Sequence, residues 1–273
     1  MKTLLTIGLV LICTAPLVGA QTAGKQLNSL TAEEIKDAER RLSELGYWTG
    51  PVDGIFDEGA RSALIAFQKW EGRQVTGQLT IDELNAIQQG SAPQARETGY
   101  EHAEVDVDRQ VFLWVSDRGK VRVLPVSTGT GKEYLDEGQK SVAYTPRGRF
   151  LVYRKGAGWE KGPLGSVYYP NDISGGIAIH GSRNVPAAPA SHGCIRIPMF
   201  AAVEVSKLLK LGTIVLVYDK VSFVSARDWV NNPKQKAVAL QNLAAEDDDV
   251  IEPKAGKSKP PGLTKPRPKT IRA

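Results

Sequence analysis

The sequence predicts an α+β, multidomain chain. A small three-helix bundle comes first, then a β-rich sandwich or partial barrel with one late helix, then a disordered basic tail. Three observations predict it. Residues 31–89 place apolar side chains at helical spacing between helix caps. From residue 105 the texture changes to short β-branched and aromatic runs. Residues 253–273 are rich in Pro, Lys and Arg and carry no acid.

Residues 31–45 read as the first helix. Thr31 and Glu34 form a capping box, and Ile35, Ala38, Leu42 and Leu45 share one face. Gly46 stops it. Gly50-Pro51-Val52-Asp53-Gly54 is a turn cluster. Asp57 caps a second helix running to Trp70, with Ala60, Leu64 and Phe67 inward. Thr80 and Glu83 make another capping box ahead of Leu84 and Ile87. Three short helices at this spacing fit a small bundle.

Residues 90–100 are short and polar and read as a linker. Strand-like runs follow at 111–115, 121–126, 149–154, 167–169, 177–180 and 213–218. Asp117-Arg118-Gly119-Lys120 is a hairpin turn between the first two. A helix over residues 199–211 follows Pro198 and stops at Gly212. Strands with one late helix imply a sandwich or partial barrel over residues 101–219.

Lys2, the apolar run 4–14 and the small residues Val18-Gly19-Ala20 predict a cleaved export signal over residues 1–20. The run is short for a membrane span, and no second run follows. The net charge of +5 belongs to the tail rather than the body. Residues 253–273 hold seven Lys and Arg; without these and Lys2, residues 21–252 carry −3. A tail over 228–273 with this composition is expected to be disordered and to attract polyanions. Export makes nucleic acid the poorest partner, and leaves anionic lipid or acidic wall polymer.

The chain has two cysteines, and Cys13 lies in the apolar run, so Cys194 alone outlasts signal cleavage. A lone thiol in an exported protein has no disulfide partner and needs another account. It sits in Ser191-His192-Gly193-Cys194-Ile195-Arg196, with His180-Gly181 upstream. A thiol has a reference pKa of about 8.5, so a nucleophilic cysteine needs a base or nearby positive charge. His180 ends a strand and precedes a glycine, a good place for a base. His192 is a second candidate, though so near in sequence that its ring has little freedom to align. Gly193 lets the backbone approach a substrate, and its N–H and that of Cys194 are candidate oxyanion donors. A zinc site from His180, His192 and Cys194 lacks a fourth ligand at usual spacing, with only His102 spare. No metal or cofactor is expected.

Two stretches resemble known families. Leu45-Gly46-Tyr47-Trp48, Gly50 to Asp57 and Ala66-Phe67-Gln68 resemble the peptidoglycan-binding domain type 1 family over most of residues 31–89. The resemblance implies binding to wall glycan or stem peptides. Phe56 and Phe67 read as core, whereas Tyr47 and Trp48 beside the turn are ligand candidates.

The second stretch resembles the L,D-transpeptidase catalytic-domain family, whose motif is His-x(n)-[Ser/Thr]-His-Gly-Cys-hydrophobic-[Asn/Arg]. Pro125-Val126-Ser127-Thr128-Gly129 and Thr145-Pro146-Arg147-Gly148-Arg149-Phe150 extend the likeness. It implies that Cys194 is the nucleophile and His180 the base. Gly193 and Cys194 would supply oxyanion donors, and His192 would shape the site. Ser191 and Arg196 would hold the donor stem, Arg196 standing where many members have asparagine. The implied reaction is acyl transfer on a peptidoglycan tetrapeptide stem through a thioester. The acceptor would be another stem or a lysine of an anchored protein, at the wall and in the periplasm. Two alternatives stay open: a carboxypeptidase or hydrolase on the same scaffold, and a wall-binding protein with a dormant catalytic domain. The presence of both His180 and Cys194 argues against dormancy.

Overall fold

The structure, a computed structural model, describes residues 30–136, 138–162 and 164–222. The expected export signal (1–20), Cys13 and the expected basic tail (228–273) lie outside the described residues. Helices α1 (Ala32–Glu44), α2 (Glu58–Trp70) and α3 (Ile81–Gln89) start at the expected caps. The Thr31 side chain accepts from the Glu34 N–H, and the Glu34 carboxylate accepts from the Thr31 N–H at 2.7 Å. Asp57 and Thr80 accept from Ala60 and Glu83 N–H groups that the helix itself leaves unpaired.

The strands are β1 (His102–Asp106), β2 (Val111–Val115), β3 (Val121–Pro125), β4 (Glu133–Asp136), β5 (Gln139–Val142) and β6 (Gly148–Leu151). Then come β7 (Arg154–Lys155), β8 (Trp159–Gly162), β9 (Gly165–Ser174), β10 (Ile177–Ser182), β11 (Ile195–Pro198) and β12 (Ile214–Tyr218). The late helix α4 (Ala202–Leu208) follows a single 3₁₀ turn, Met199–Ala201. One sheet has the order β3-β2-β1-β12-β6. A second runs β11-β10-β9-β7, with β8 also paired to β9, and β4–β5 is a separate hairpin.

The two sheets pack face to face. Phe112, Trp114, Leu124, Val215 and Val217 of the first, with Val126 just past β3, meet Ile173, Ile179, Ile195 and Ile197 of the second, closed by Val205 and Leu209. The opposite face of the first sheet is also buried. Its Val111, Leu113, Val115 and Val123 pack on Leu42, Leu45, Leu64, Phe67 and Ile87 of the helical unit. Each such side chain contributes about 1.5–3 kcal/mol on burial. The molecule is thus three layers, and the helices share a core with the sandwich.

A backbone contact reinforces that join. Val123 N–H donates to the Gly46 carbonyl at 2.8 Å, and Trp48 N–H donates to the Val123 carbonyl at 3.1 Å. Residues 46–48 therefore cover the exposed edge of β3. Gly46 has φ +95, and a Cβ there would lie 2.6 Å from the Val121 carbonyl oxygen, so only glycine fits.

Several expectations need correction. Residues 90–100 are not a free linker: Ala92 and Ala95 pack on the shared core. The Arg96 and Glu97 N–H groups donate to the buried Glu104 carboxylate, and Arg149 pairs with Glu97. β1 escaped the strand reading because His102, Glu104 and Asp106 look like a solvent-facing row. All three are buried and partnered within the structure. Tyr47 is not presented to a ligand. It is 2 % exposed, stands edge-on to Phe67 with ring centroids 5.7 Å apart, and its buried hydroxyl has no partner among the described residues.

Candidate active site

The site is built where β10 and β11 run parallel. Ile179 pairs with Ile195, His180 with Arg196, Gly181 with Ile197. Residues 179 and 195 fill the core, so 180 and 196 face the other way. Cys194 stands at the entrance to β11, two residues before Arg196. The β9–β10 pairing shifts register between Ile177 and Ala178 and again between Ile179 and Gly181, across His180, a local irregularity of the kind that re-aims a side chain. The Asn171 amide donates to the Ile179 carbonyl at 3.2 Å and to the Tyr169 carbonyl at 2.9 Å, stitching the irregular stretch together.

His180 is buried, and its Nδ1 lies 2.9 Å from the Gly181 carbonyl oxygen. A carbonyl can only accept, so Nδ1 carries the proton and Nε2 holds the lone pair of the neutral ring. Burial pushes the imidazole below its ordinary pKa. The Gly181 hydrogen bond and the Asp172 carboxylate oppose this, and the Arg196 guanidinium adds to it. The ring is neutral at neutral pH.

Cys194 is half-buried, with Sγ 3.7 Å from the Gly176 carbonyl. Burial pushes its thiol above the ordinary range, and Asp172 adds to that. A hydrogen bond from the Ala178 backbone and the Arg196 charge act downward. The parallel register brings the two side chains to one stretch of the β10–β11 ladder: Cys194 adjoins Ile195, which pairs with Ile179, and His180 pairs with Arg196. They rest there as a neutral imidazole and a neutral thiol.

The loop around the thiol is tightly tied. Ser191 Oγ donates to the Cys194 carbonyl at 2.6 Å and accepts from the Gly193 N–H at 3.0 Å. Thr145 Oγ1 donates to the Gly193 carbonyl at 2.6 Å and accepts from the Gly129 N–H at 2.9 Å. Gly193 has φ +145, and a Cβ would meet Ile177 Cδ1 at 2.6 Å and the Tyr144 carbonyl oxygen at 2.9 Å. Here the sequence reading is corrected. The Gly193 N–H is already given to Ser191, so it is not a free oxyanion donor, and Ser191 braces the loop.

The remaining candidate residues have contacts of their own. His192 is exposed and its ring rests on Tyr134 of β4, centroids 4.6 Å apart. Arg196 is half-buried and has no ion-pair partner among the described residues. Trp48 is half-buried against the sandwich core, with the Arg122 guanidinium 5.0 Å above its ring. On the β10 side, Tyr168 pairs across from Gly181 and meets Trp159, which is itself covered by Arg183 at 5.2 Å. Sequence reasoning missed Asp172, whose carboxylate is paired to Arg154 at 2.8 Å. β9 outruns the strand expected at 167–169 and continues through polar residues to Ser174. Among the described residues no group of three His, Cys, Asp or Glu side chains is arranged to hold a metal ion.

Comparison with known proteins agrees with this architecture. Residues 100–217 match the L,D-transpeptidase catalytic domain family, and residues 31–87 match a peptidoglycan binding domain family. The crystal structure of an L,D-transpeptidase fragment from Xylanimonas cellulosilytica is 35 % identical. The match covers 69 % of this chain and 94 % of that one, with a TM-score of 0.65. An L,D-transpeptidase from Stackebrandtia nassauensis is 22 % identical over 68 % of this chain and 91 % of its own, with a TM-score of 0.41. Among curated proteins, the localization factor PodJL of Caulobacter vibrioides is 40 % identical over 50 residues. That segment is 18 % of this chain and spans only 5 % of PodJL. With a relative this similar matched over nearly its whole length, and with the motif seated on β10 and β11, the chain belongs to the L,D-transpeptidase family.

Proposed function

We propose that the protein is a cysteine-dependent L,D-transpeptidase acting on peptidoglycan tetrapeptide stems, with Cys194 as nucleophile and His180 as general base. The observation that carries this reading is the fixed tautomer of His180. Its Nδ1–H is committed to the Gly181 carbonyl, which leaves Nε2 free to take a proton.

The chemistry follows from a neutral pair. The thiol proton passes to His180 as Sγ attacks the carbonyl joining diaminopimelate to the terminal D-alanine. The resulting oxyanion has the Cys194 N–H as a donor, the Gly193 N–H being occupied. The imidazolium returns its proton to the departing D-alanine nitrogen, and a Cys194 thioester remains. An acceptor amine then attacks the thioester, His180 takes its proton, and the thiolate is reprotonated. Arg196, across the ladder from His180 and with no ion-pair partner among the described residues, supplies positive charge for a stem carboxylate. Tyr134, against the His192 ring, offers an apolar surface for the stem beside the Cys194 loop.

The peptidoglycan-binding domain supports the wall as the place of action, and the predicted export signal supports the periplasm. The test is incubation of the mature chain with a purified tetrapeptide stem and mass spectrometry of the products. A cross-linked dimer with loss of one D-alanine is the expected product. A tripeptide without dimer would favour water as acceptor, and transfer to a protein lysine would favour anchoring. Unchanged stems would count against the reading.

A further inference from the structure

Lys69 lies near the end of α2, in the helical unit, yet it is buried, and its ammonium reaches into the sandwich. Nζ donates to the Val126 carbonyl at 2.8 Å and to the Gln110 carbonyl at 3.2 Å. No carboxylate pairs with it among the described residues, and burial pushes its pKa down to about 7. A buried ammonium without a counter-ion is costly, and lysine is almost never placed so without a role. The next residue repeats the grip: Trp70 carries the Arg109 guanidinium 4.7 Å above its ring.

What Lys69 holds is the support of the Cys194 loop. Gln110 has φ +57, a backbone conformation that side-chain-bearing residues rarely adopt. In that conformation its amide closes on Thr128: Nε2 donates to Thr128 Oγ1 at 2.7 Å, and Oε1 accepts from the Thr128 N–H at 2.9 Å. The Thr128 carbonyl then accepts both the Ala190 N–H at 3.0 Å and the Ser191 N–H at 2.9 Å. Ser127 adds a pair of backbone bonds with Arg196, at 3.0 and 3.1 Å, and its Oγ donates to the Ala188 carbonyl at 2.9 Å. Segment 126–130 is therefore the rail on which residues 188–196 hang. The rail is fixed from behind by Gln110 and by an ammonium of the wall-binding unit.

We propose that Lys69 is a positioning residue for the Cys194 loop, acting through Gln110 and Thr128. The helical unit then sets the geometry of the thiol as well as tethering the enzyme. The proposal rests on the functional reading above for its effect on turnover, but not for its effect on the thiol. It requires that loss of the Lys69 or Gln110 contacts alter Cys194 reactivity, without an equal change in affinity for a small stem that never touches the helical unit.

The experiment uses the mature full-length chain and three variants. Lys69→Met keeps the helix and the volume while removing every donor. Gln110→Asn keeps a residue that tolerates positive φ but shortens the side chain, so that it no longer spans to Thr128. Leu42→Ala loosens the same shared core and touches nothing in the relay. For each, thermal unfolding, kcat and KM on a soluble tetrapeptide, and the iodoacetamide alkylation rate of Cys194 are measured. Misplacement of a reacting group by 1 Å costs up to about 10²-fold, so kcat should fall at least about tenfold in Lys69→Met and Gln110→Asn. KM should change little, and the alkylation rate should depart clearly from wild type. Leu42→Ala should lower the unfolding temperature and leave kcat and alkylation close to wild type. Should Lys69→Met fail to fold, Gln110→Asn carries the test. Wild-type kcat and alkylation in both relay variants would overturn the proposal, as would an equal loss in Leu42→Ala. A wild-type chain inert toward stems would remove the functional reading, and the alkylation rates would still decide the relay.

Discussion

His180 faces Arg196 directly across the parallel β10–β11 ladder. The pairing sets a permanent positive charge beside an imidazole that burial has already made a weaker proton acceptor. It also defines what pH does to the reaction.

The first prediction concerns the acid limb. The base must be neutral, so kcat/KM should rise with pH through the His180 pKa, and the midpoint should lie below the ordinary 6.5. The Arg196 charge disfavours the imidazolium, so Arg196→Met should move that midpoint upward while weakening stem binding. A pH–rate profile on a soluble stem checks both. A wild-type midpoint above 6.5, or no shift in the variant, would contradict the electrostatics described.

The second prediction separates the two histidines. Because burial raises the Cys194 thiol, alkylation should titrate above the ordinary thiol range rather than show a preformed thiolate at neutral pH. His192→Ala should leave that titration in place, since its exposed ring rests on Tyr134. His180→Ala should lower turnover by about 10²–10⁴-fold, the usual contribution of a general base. A larger effect from His192→Ala in folded protein would reverse the assignment.

The legibility of this chain in its sequence was uneven, for physical reasons. Helix caps are local, so Thr31, Asp57 and Thr80 could be read without tertiary information. The hairpin at Asp117–Lys120 was equally local, with Gly119 at φ +74 closing between β2 and β3. The segment 191–196 was legible because Cys194 was so conspicuous. β1 was not, since the sheet is covered on both faces and the alternation of His102, Glu104 and Asp106 marks buried partners rather than solvent. Tyr47 was misread for a related reason: a turn beside an aromatic suggests exposure, yet residues 46–48 dock on β3. Lys69, Gln110 and Asp172 lie 125, 84 and 22 residues from Cys194, and no local pattern links them to it.

The third prediction follows from Tyr47. A buried hydroxyl with no partner costs about 1–3 kcal/mol, so Tyr47→Phe should be neutral or more stable by about that amount. Sedimentation with purified sacculi should be unchanged. Weaker sedimentation by a fully folded Tyr47→Phe would return this residue to the ligand surface.

The fourth concerns Lys69 and stability. Its folded pKa of about 7 lies below the ordinary 10.5, so between those values the unfolded chain binds more protons than the folded one. Stability should therefore rise with pH from about 7 upward, and the penalty should be fully present below that. Cys194 acts oppositely at the alkaline end, because its raised thiol keeps a proton in the folded state. The comparison of wild type with Lys69→Met isolates the lysine, since Cys194 is common to both. Denaturant midpoints from pH 6 to 9 should converge or cross as the wild type gains stability relative to the variant. Parallel curves would show that burial does not depress Lys69.

The central claim is that Cys194 carries the acyl group. The most direct measurement is intact-protein and peptide mass spectrometry after brief mixing of the mature chain with tetrapeptide stem and no acceptor. The expected result is a mass gain equal to the stem less D-alanine, confined to the peptide holding Cys194, labile to hydroxylamine and absent in Cys194→Ala. An adduct on another residue, or undiminished acylation of Cys194→Ala, would contradict it.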